Sequence, residues 1–141
     1  MNRAVMLTLL RLRRLACEDA RRTLATRLQE EDATRAALAA AEGGIVRERA
    51  AAAAPGADDA MAEAFAAWLP HGLRARAQAD DSHQRAGAAT AEARSALAMA
   101  RTNAEAAERL LAVHDAHHAI KAARRAQAAM DEAASRSARR P

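Results

Sequence analysis

The chain has no tyrosine, and phenylalanine, tryptophan and cysteine occur once each, as Phe65, Trp68 and Cys17. With aromatic and β-branched residues this scarce, a sheet core has almost nothing to be built from. A lone cysteine rules out an internal disulfide framework and suits a reducing compartment; with no histidine or other catalytic context nearby in sequence, Cys17 reads as a small seam residue. Long apolar runs are missing as well. "MLTLL" near the start is too short for a signal-peptide core and far too short to span a bilayer, so the N-terminal segment is read as structural, without direct membrane insertion. Large aliphatic side chains are few: the hydrophobic share is 51%, yet roughly a third of the 141 residues are alanine. Burying a leucine contributes about 1.5–3 kcal/mol and each methylene about 0.8, so an alanine-dominated interior cannot hold a compact globule of this size.

What is present favours helix. Alanine, arginine, glutamate, glutamine and leucine are all strong helix formers, and the expected class is all-α. The net charge of +4 and pI near 10.8 raise nucleic acid as a partner. Acidic residues such as Glu18, Asp19, Glu30, Glu31 and Asp32 are interspersed with the arginines, however, so no clean basic face forms and no specific nucleic-acid partner is expected.

A seven-residue step picks out Leu10, Cys17, Leu24, Glu31, Leu38 and Ile45, the stripe of a coiled-coil helix with one polar interruption. Gly43 and Gly44 mark a weak point or a close approach within it. "AAAAPGADDAM" then reads as stop and restart: Pro55 ends the helix, Gly56 suits a left-handed residue, and Asp58 or Asp59 can cap the next helix. Met61, Phe65 and Trp68 line one face of a short helix that Pro70 and Gly72 are expected to interrupt. From Leu73 to about Arg136 one long helix is expected, with Leu97, Ala104, Leu111 and His118 at seven-residue spacing.

Two long helices with narrow stripes need each other. The expected architecture is an elongated antiparallel two-helix coiled-coil hairpin: stems at about 4–54 and 73–136, a tip at about 55–72 holding the short helix and the Pro/Gly breaks, and a basic tail at 137–141. Matching bulk to bulk, a register in which paired numbers sum to about 138–140 sets Leu24 and Leu28 against Leu110, Leu111 and Val113, and Leu10 against Met130. A tight reversal at 55–57 would instead set leucines against Asp80 and Asp81, burying charge. The preferred register leaves the two aromatics at the tip of a hairpin roughly 70 Å long at 1.5 Å per residue, where they either lock the tip or are offered to a partner.

Catalytic chemistry is not apparent. Gly43-Gly44 lacks the lysine of a phosphate-binding loop. In "HDAHH", His114 and His118 lie one turn apart, which can suit a metal, but HExxH and a third ligand at helical spacing are missing. Glu105 and Glu108 lie on an exposed helix without the pocket that acid-base work requires. No enzyme activity, cofactor or metal is expected.

The whole pattern, and above all "ERLLAVHDAHHAIKAARRAQAAMDEAASRSARRP", resembles the FliJ family of flagellar export proteins and its injectisome counterparts, the SctO/YscO-type stalk proteins. The likeness lies in the chain size, the Leu- and Arg-bearing first helix, the central break, and a long second helix ending in "MDE", small residues and a basic tail. This resemblance implies a cytoplasmic, non-catalytic stalk peripherally associated with the export apparatus. One end would enter the pore of a secretion ATPase hexamer, another surface would touch the cytoplasmic part of the export-gate membrane protein, and export chaperones are partners of some members. Carried over residue by residue, the ATPase contact would be Leu10, Arg13, Arg14 and Cys17 opposite Ile120, Arg124, Arg125 and Met130. The gate contact would be Ile45, Arg49, Phe65, Trp68 and Leu69; Ile45 and Arg49 stand where the family has aromatics. The competing readings are a basic alanine-rich nucleic-acid-associated helical protein and a generic coiled-coil scaffold.

Overall fold

The computed structural model describes residues 2–139. Two helices, α1 (Arg3–Ala52) and α2 (Asp59–Ala138), pack antiparallel as an all-α helical hairpin. Each start is capped by a short polar side chain. Asn2 Oδ1 accepts from the backbone N–H of Ala4 at 3.2 Å, and Asp58 Oδ1 accepts from that of Met61 at 3.0 Å. Such caps satisfy amide donors that a helix start leaves open and contribute about 1 kcal/mol each. Between the helices the turn expected at Pro55-Gly56 is present, and it is the chain reversal itself, the tight one disfavoured from the sequence relative to a tip reaching residue 72; Gly56 takes a φ of 90°, which side-chain-bearing residues rarely adopt.

Two expectations are corrected by the structure. The turn is confined to residues 53–58, and α2 runs unbroken through Pro70 and Gly72, so there is no separate short helix and no tip extending to residue 72. Pro70 cannot donate to the carbonyl four residues back and carries a penalty of about 3 kcal/mol in a helix interior. It is exposed, while Phe65, Trp68 and Leu69 are half-buried, so packing on one side of the helix offsets the local loss on the other. Gly72 is a packing residue, not a breaker: a Cβ there would lie 2.6 Å from a ring carbon of Trp68. Gly43 and Gly44 likewise do not interrupt α1, and a Cβ at either would meet the guanidinium of Arg47 of the same helix. Of the expected basic tail, Ser137 and Ala138 still belong to α2, while residues 140 and 141 lie outside the described residues.

The register is the second correction. In the unit formed by residues 19–98, Thr90 Oγ1 donates to the Arg27 carbonyl at 3.2 Å, Thr34 Oγ1 meets His83 Nδ1 at 3.2 Å, and Arg76 binds Glu42 at 3.2 Å. Partners therefore sum to about 117, between the two registers weighed from sequence. Leu24 and Leu28 fall opposite the small residues around 89–93 instead of the Leu110–Val113 cluster. Thr90 is 2% exposed, with Ala93 and Leu97 buried beside it in sequence. Alanine and threonine at these positions let the helices approach closely, so the seam is tight without bulk.

In the other unit, residues 1–18 with 99–141, Arg3 binds Asp115 at 2.8 Å and Arg14 binds Glu108 at 2.7 Å. Met6, Leu10 and Cys17 of α1 and Ala104 and Ala107 of α2 are buried. Leu10 therefore does not face Met130, and from residue 116 to 139 every residue is exposed.

The α1 stripe is as expected: Leu10, Cys17 and Ile45 are buried, and Leu24, Glu31 and Leu38 half-buried. On α2 the buried and half-buried positions 90, 93, 97, 100, 104, 107, 111 and 114 alternate by three and four, the spacing of a coiled-coil seam. That stripe includes the expected Leu97, Ala104 and Leu111 and leaves His118 exposed.

Candidate interaction surfaces

The residues carried over for an ATPase contact divide into two groups. Leu10 and Cys17, 6% and 7% exposed, are held in the seam between the helices and have no surface to give. Arg13, Arg14, Ile120, Arg124, Arg125 and Met130 are exposed. The expected opposition of the first set to the second is not formed. The α1 residues pair with α2 near 104–115, while Ile120, Arg124, Arg125 and Met130 lie beyond the Arg3–Asp115 ion pair, the last across the helices among the described residues. Arg14 is engaged by Glu108, whereas Arg13, Arg124 and Arg125 have no ion pair among the described residues.

Sequence reasoning missed the clamp at Arg3. Its guanidinium reaches Asp115 through two bonds, Nε to Oδ1 at 2.8 Å and Nη2 to Oδ2 at 3.0 Å. This hydrogen-bonded pairing holds the Asp115 carboxyl below its ordinary range and raises the Arg3 guanidinium. The signal for it was a long-range one that spacing within one helix does not carry. The neighbouring His114 and His118 rings are 4.3 Å apart, and His114 Nδ1 is 3.4 Å from Asp115 Oδ1. Among the described residues no group of three His, Cys, Asp or Glu side chains is placed to hold a metal ion.

In the unit of residues 19–98, the five positions carried over for a gate contact also differ in kind. Ile45 is buried, Arg49 is exposed, and Phe65, Trp68 and Leu69 are half-buried. The Phe65 and Trp68 rings stack at 6.3 Å with 29° between their planes. The Trp68 indole lies back over Gly72, and the two aromatics border an open groove with Met61, Glu48 and Ala52. Packing and accessibility are thus combined: one part of each ring is covered by the chain, and another part faces the groove.

Among the described residues, no helix is long and apolar enough to cross a membrane. A family model described as "Flagellar FliJ protein" matches residues 2–141, essentially the whole chain. No curated protein and no solved structure matches it. The chain belongs to the FliJ family and is a flagellar export-related protein.

Proposed function

We propose, on the premise of that family membership, that the protein is a non-catalytic central stalk and adaptor of a type III secretion ATPase, flagellar or injectisome. The unit of residues 1–18 and 99–141 enters the ATPase hexamer. The other unit meets the cytoplasmic part of the export gate through Arg49, Phe65, Trp68 and Leu69, with Ile45 supporting them from the seam. Export chaperones are further partners, and the site of action is cytoplasmic, peripheral to the export apparatus.

The observation that supports the ATPase contact is the exposed stretch of α2 from residue 116 onward, which carries Ile120, Arg124, Arg125 and Met130. A single helix bearing unpaired guanidinium groups fits a narrow lumen, and planar guanidinium groups suit the carboxylates and carbonyls of such a wall. Arg13 and Arg14 add charge from α1. Leu10 and Cys17 keep the two helices together and make no partner contact.

The test is phosphate release by the cognate ATPase with and without the protein. Charge reversal of Arg13, Arg124 and Arg125 together abolishes stimulation, while helicity and binding to the gate's cytoplasmic part are retained, because exposed charges contribute little to the fold. Full stimulation by a folded triple variant contradicts the assignment.

A further inference from the structure

The first turns of α1 are apolar on two faces. Met6, Leu10 and Cys17 form one face, which is buried. Val5, Leu12 and Leu15 form the other, exposed at 53%, 58% and 60%, with Leu9 half-buried at its edge. Scattered exposed leucines are ordinary, but these recur along one line of a helix whose opposite need is already met.

We propose that this outer face of α1 is a docking site for an acidic amphipathic helix of a partner protein. Three observations identify the occupant. The first is shape: Ala4, Val5, Thr8, Leu9 and Leu12 line an open groove of about 380 Å³. Val5, Thr8, Leu9 and Leu12 stand at i, i+3, i+4 and i+7, the four residues that form the hole for one knob of a packed helix. One heptad on, Leu12, Leu15 and Ala16 continue the apolar line, which ends before Glu18 and Asp19. The walls are leucine and valine and the floor is alanine and threonine, so a leucine-sized side chain is accommodated.

The second observation is charge. At 100° per residue, Arg11 and Arg13 lie about 100° to either side of the apolar line, where a packed helix places its flanking charges. Neither has an ion pair among the described residues, whereas Arg3 and Arg14 on the far side are engaged by Asp115 and Glu108. The first turn of α1 contains no acidic residue, and none precedes Glu18. The third bears on a second copy: two such faces brought together in parallel would oppose arginine with arginine, and an antiparallel pair avoids this only by setting Arg11 against Glu18 of the other copy. The complementary surface is a helix with apolar residues at heptad spacing and Asp or Glu beside them. This inference does not depend on the ATPase reading.

The test uses the full chain and two labelled helical peptides of about three heptads, both with leucine at the core positions. One carries glutamate and the other lysine at the flanking positions, and binding is followed by fluorescence anisotropy. The glutamate peptide is expected to bind at least tenfold more tightly than the lysine peptide, with affinity falling as salt is raised. Leu12→Asp with Leu15→Asp lowers that affinity at least tenfold at unchanged helicity. Arg11→Glu with Arg13→Glu reverses the preference between the peptides. Equal affinity for both peptides, no measurable binding, or binding that survives the aspartate pair overturns the proposal. Leu12-dependent sedimentation with phosphatidylserine vesicles in place of peptide binding also overturns it and makes the face a lipid contact.

Discussion

The two units use the same alanine-rich helices differently. In residues 19–98 the polar groups are spent inside the unit. Hydroxyls of Thr90 and Thr34 bond across the seam, Arg76 reaches Glu42, and Arg27, Arg35 and Arg85 pair with acidic residues three or four positions away. In residues 1–18 and 99–141 Arg3 and Arg14 pair across the helices, Arg109 and Arg136 pair with acidic residues four positions away, and Val5, Leu12, Leu15, Val113, Ile120 and Met130 stay exposed. Since apolar surface left in water forfeits about 25 cal/mol per Å², the second unit gives up self-stabilisation that the first retains. The difference is one of degree: residues 19–98 expose Val46, Met61 and Leu73, and the other unit leaves a larger share of its large apolar side chains in water.

The contrast is broken most strongly by truncating seam leucines. Leu10→Ala in one unit and Leu97→Ala in the other should each cost about 2–5 kcal/mol, whereas Leu12→Ala on the outer face costs less than about 0.5. Denaturant unfolding followed by circular dichroism checks this, and a large loss for Leu12→Ala would show that the outer face is structural.

A smaller effect is expected at Gly72. Alanine there gains up to about 1 kcal/mol of helix propensity but drives a Cβ into the Trp68 ring, an overpacking that costs about 1–3 kcal/mol. The expected result of Gly72→Ala is a net loss of roughly 0–2 kcal/mol with displacement of the indole, seen as a red shift of the emission of the chain's one tryptophan. Unchanged emission would mean that Gly72 does not set the ring position.

The smallest effect is acid sensitivity. The Asp115 carboxyl is held below its ordinary range by Arg3, so the contribution of this clamp is complete above the unfolded value near 3.8 and disappears as pH falls through the lowered folded one. Both side chains are exposed, so the change is slight. Comparing thermal midpoints of the wild type and Asp115→Asn from pH 7 to pH 3, the difference between them should be constant above about pH 5 and narrow below about pH 4. A difference that widens in acid contradicts the sign.

Much of the fold was legible in the sequence. The stripe from Leu10 to Ile45 and the helix break at Pro55-Gly56 follow from spacing and backbone chemistry, and both are present, but that the break is the reversal of the whole chain was not legible. The continuity of α2 through Pro70 was not legible, because half-buried packing by Phe65, Trp68 and Leu69 outweighs a local breaker and cannot be seen within a short window. Register was not legible either. Leucines invite matching to leucines, but here the seam depends on how closely Thr90, Ala93 and Ala104 let two backbones approach, and small residues fit many offsets almost equally well. At the candidate surfaces, exposed Arg13, Arg124 and Arg125 agree with a partner role. Leu10 and Cys17 do not, since the same seven-residue spacing that marked them also puts them in the seam. The second line through Val5, Leu12 and Leu15 was present at helical spacing, but it runs beside the stronger stripe and is separated from it only once the buried face is known.

The division between the units depends on α2 being unpaired from residue 116 onward, and a disulfide cross-link tests that most directly. A disulfide needs Cα atoms about 4.4–6.8 Å apart. Cys17 and Ala104 are both buried, and they continue the register of the Arg3–Asp115 and Arg14–Glu108 contacts by one further turn. Oxidising Ala104→Cys and Ala123→Cys variants separately should join Cys17 to position 104 within one chain and leave position 123 free. Efficient cross-linking at 123 and none at 104 would slide the helices past one another by several turns, cover the stretch assigned to partners, and contradict the account.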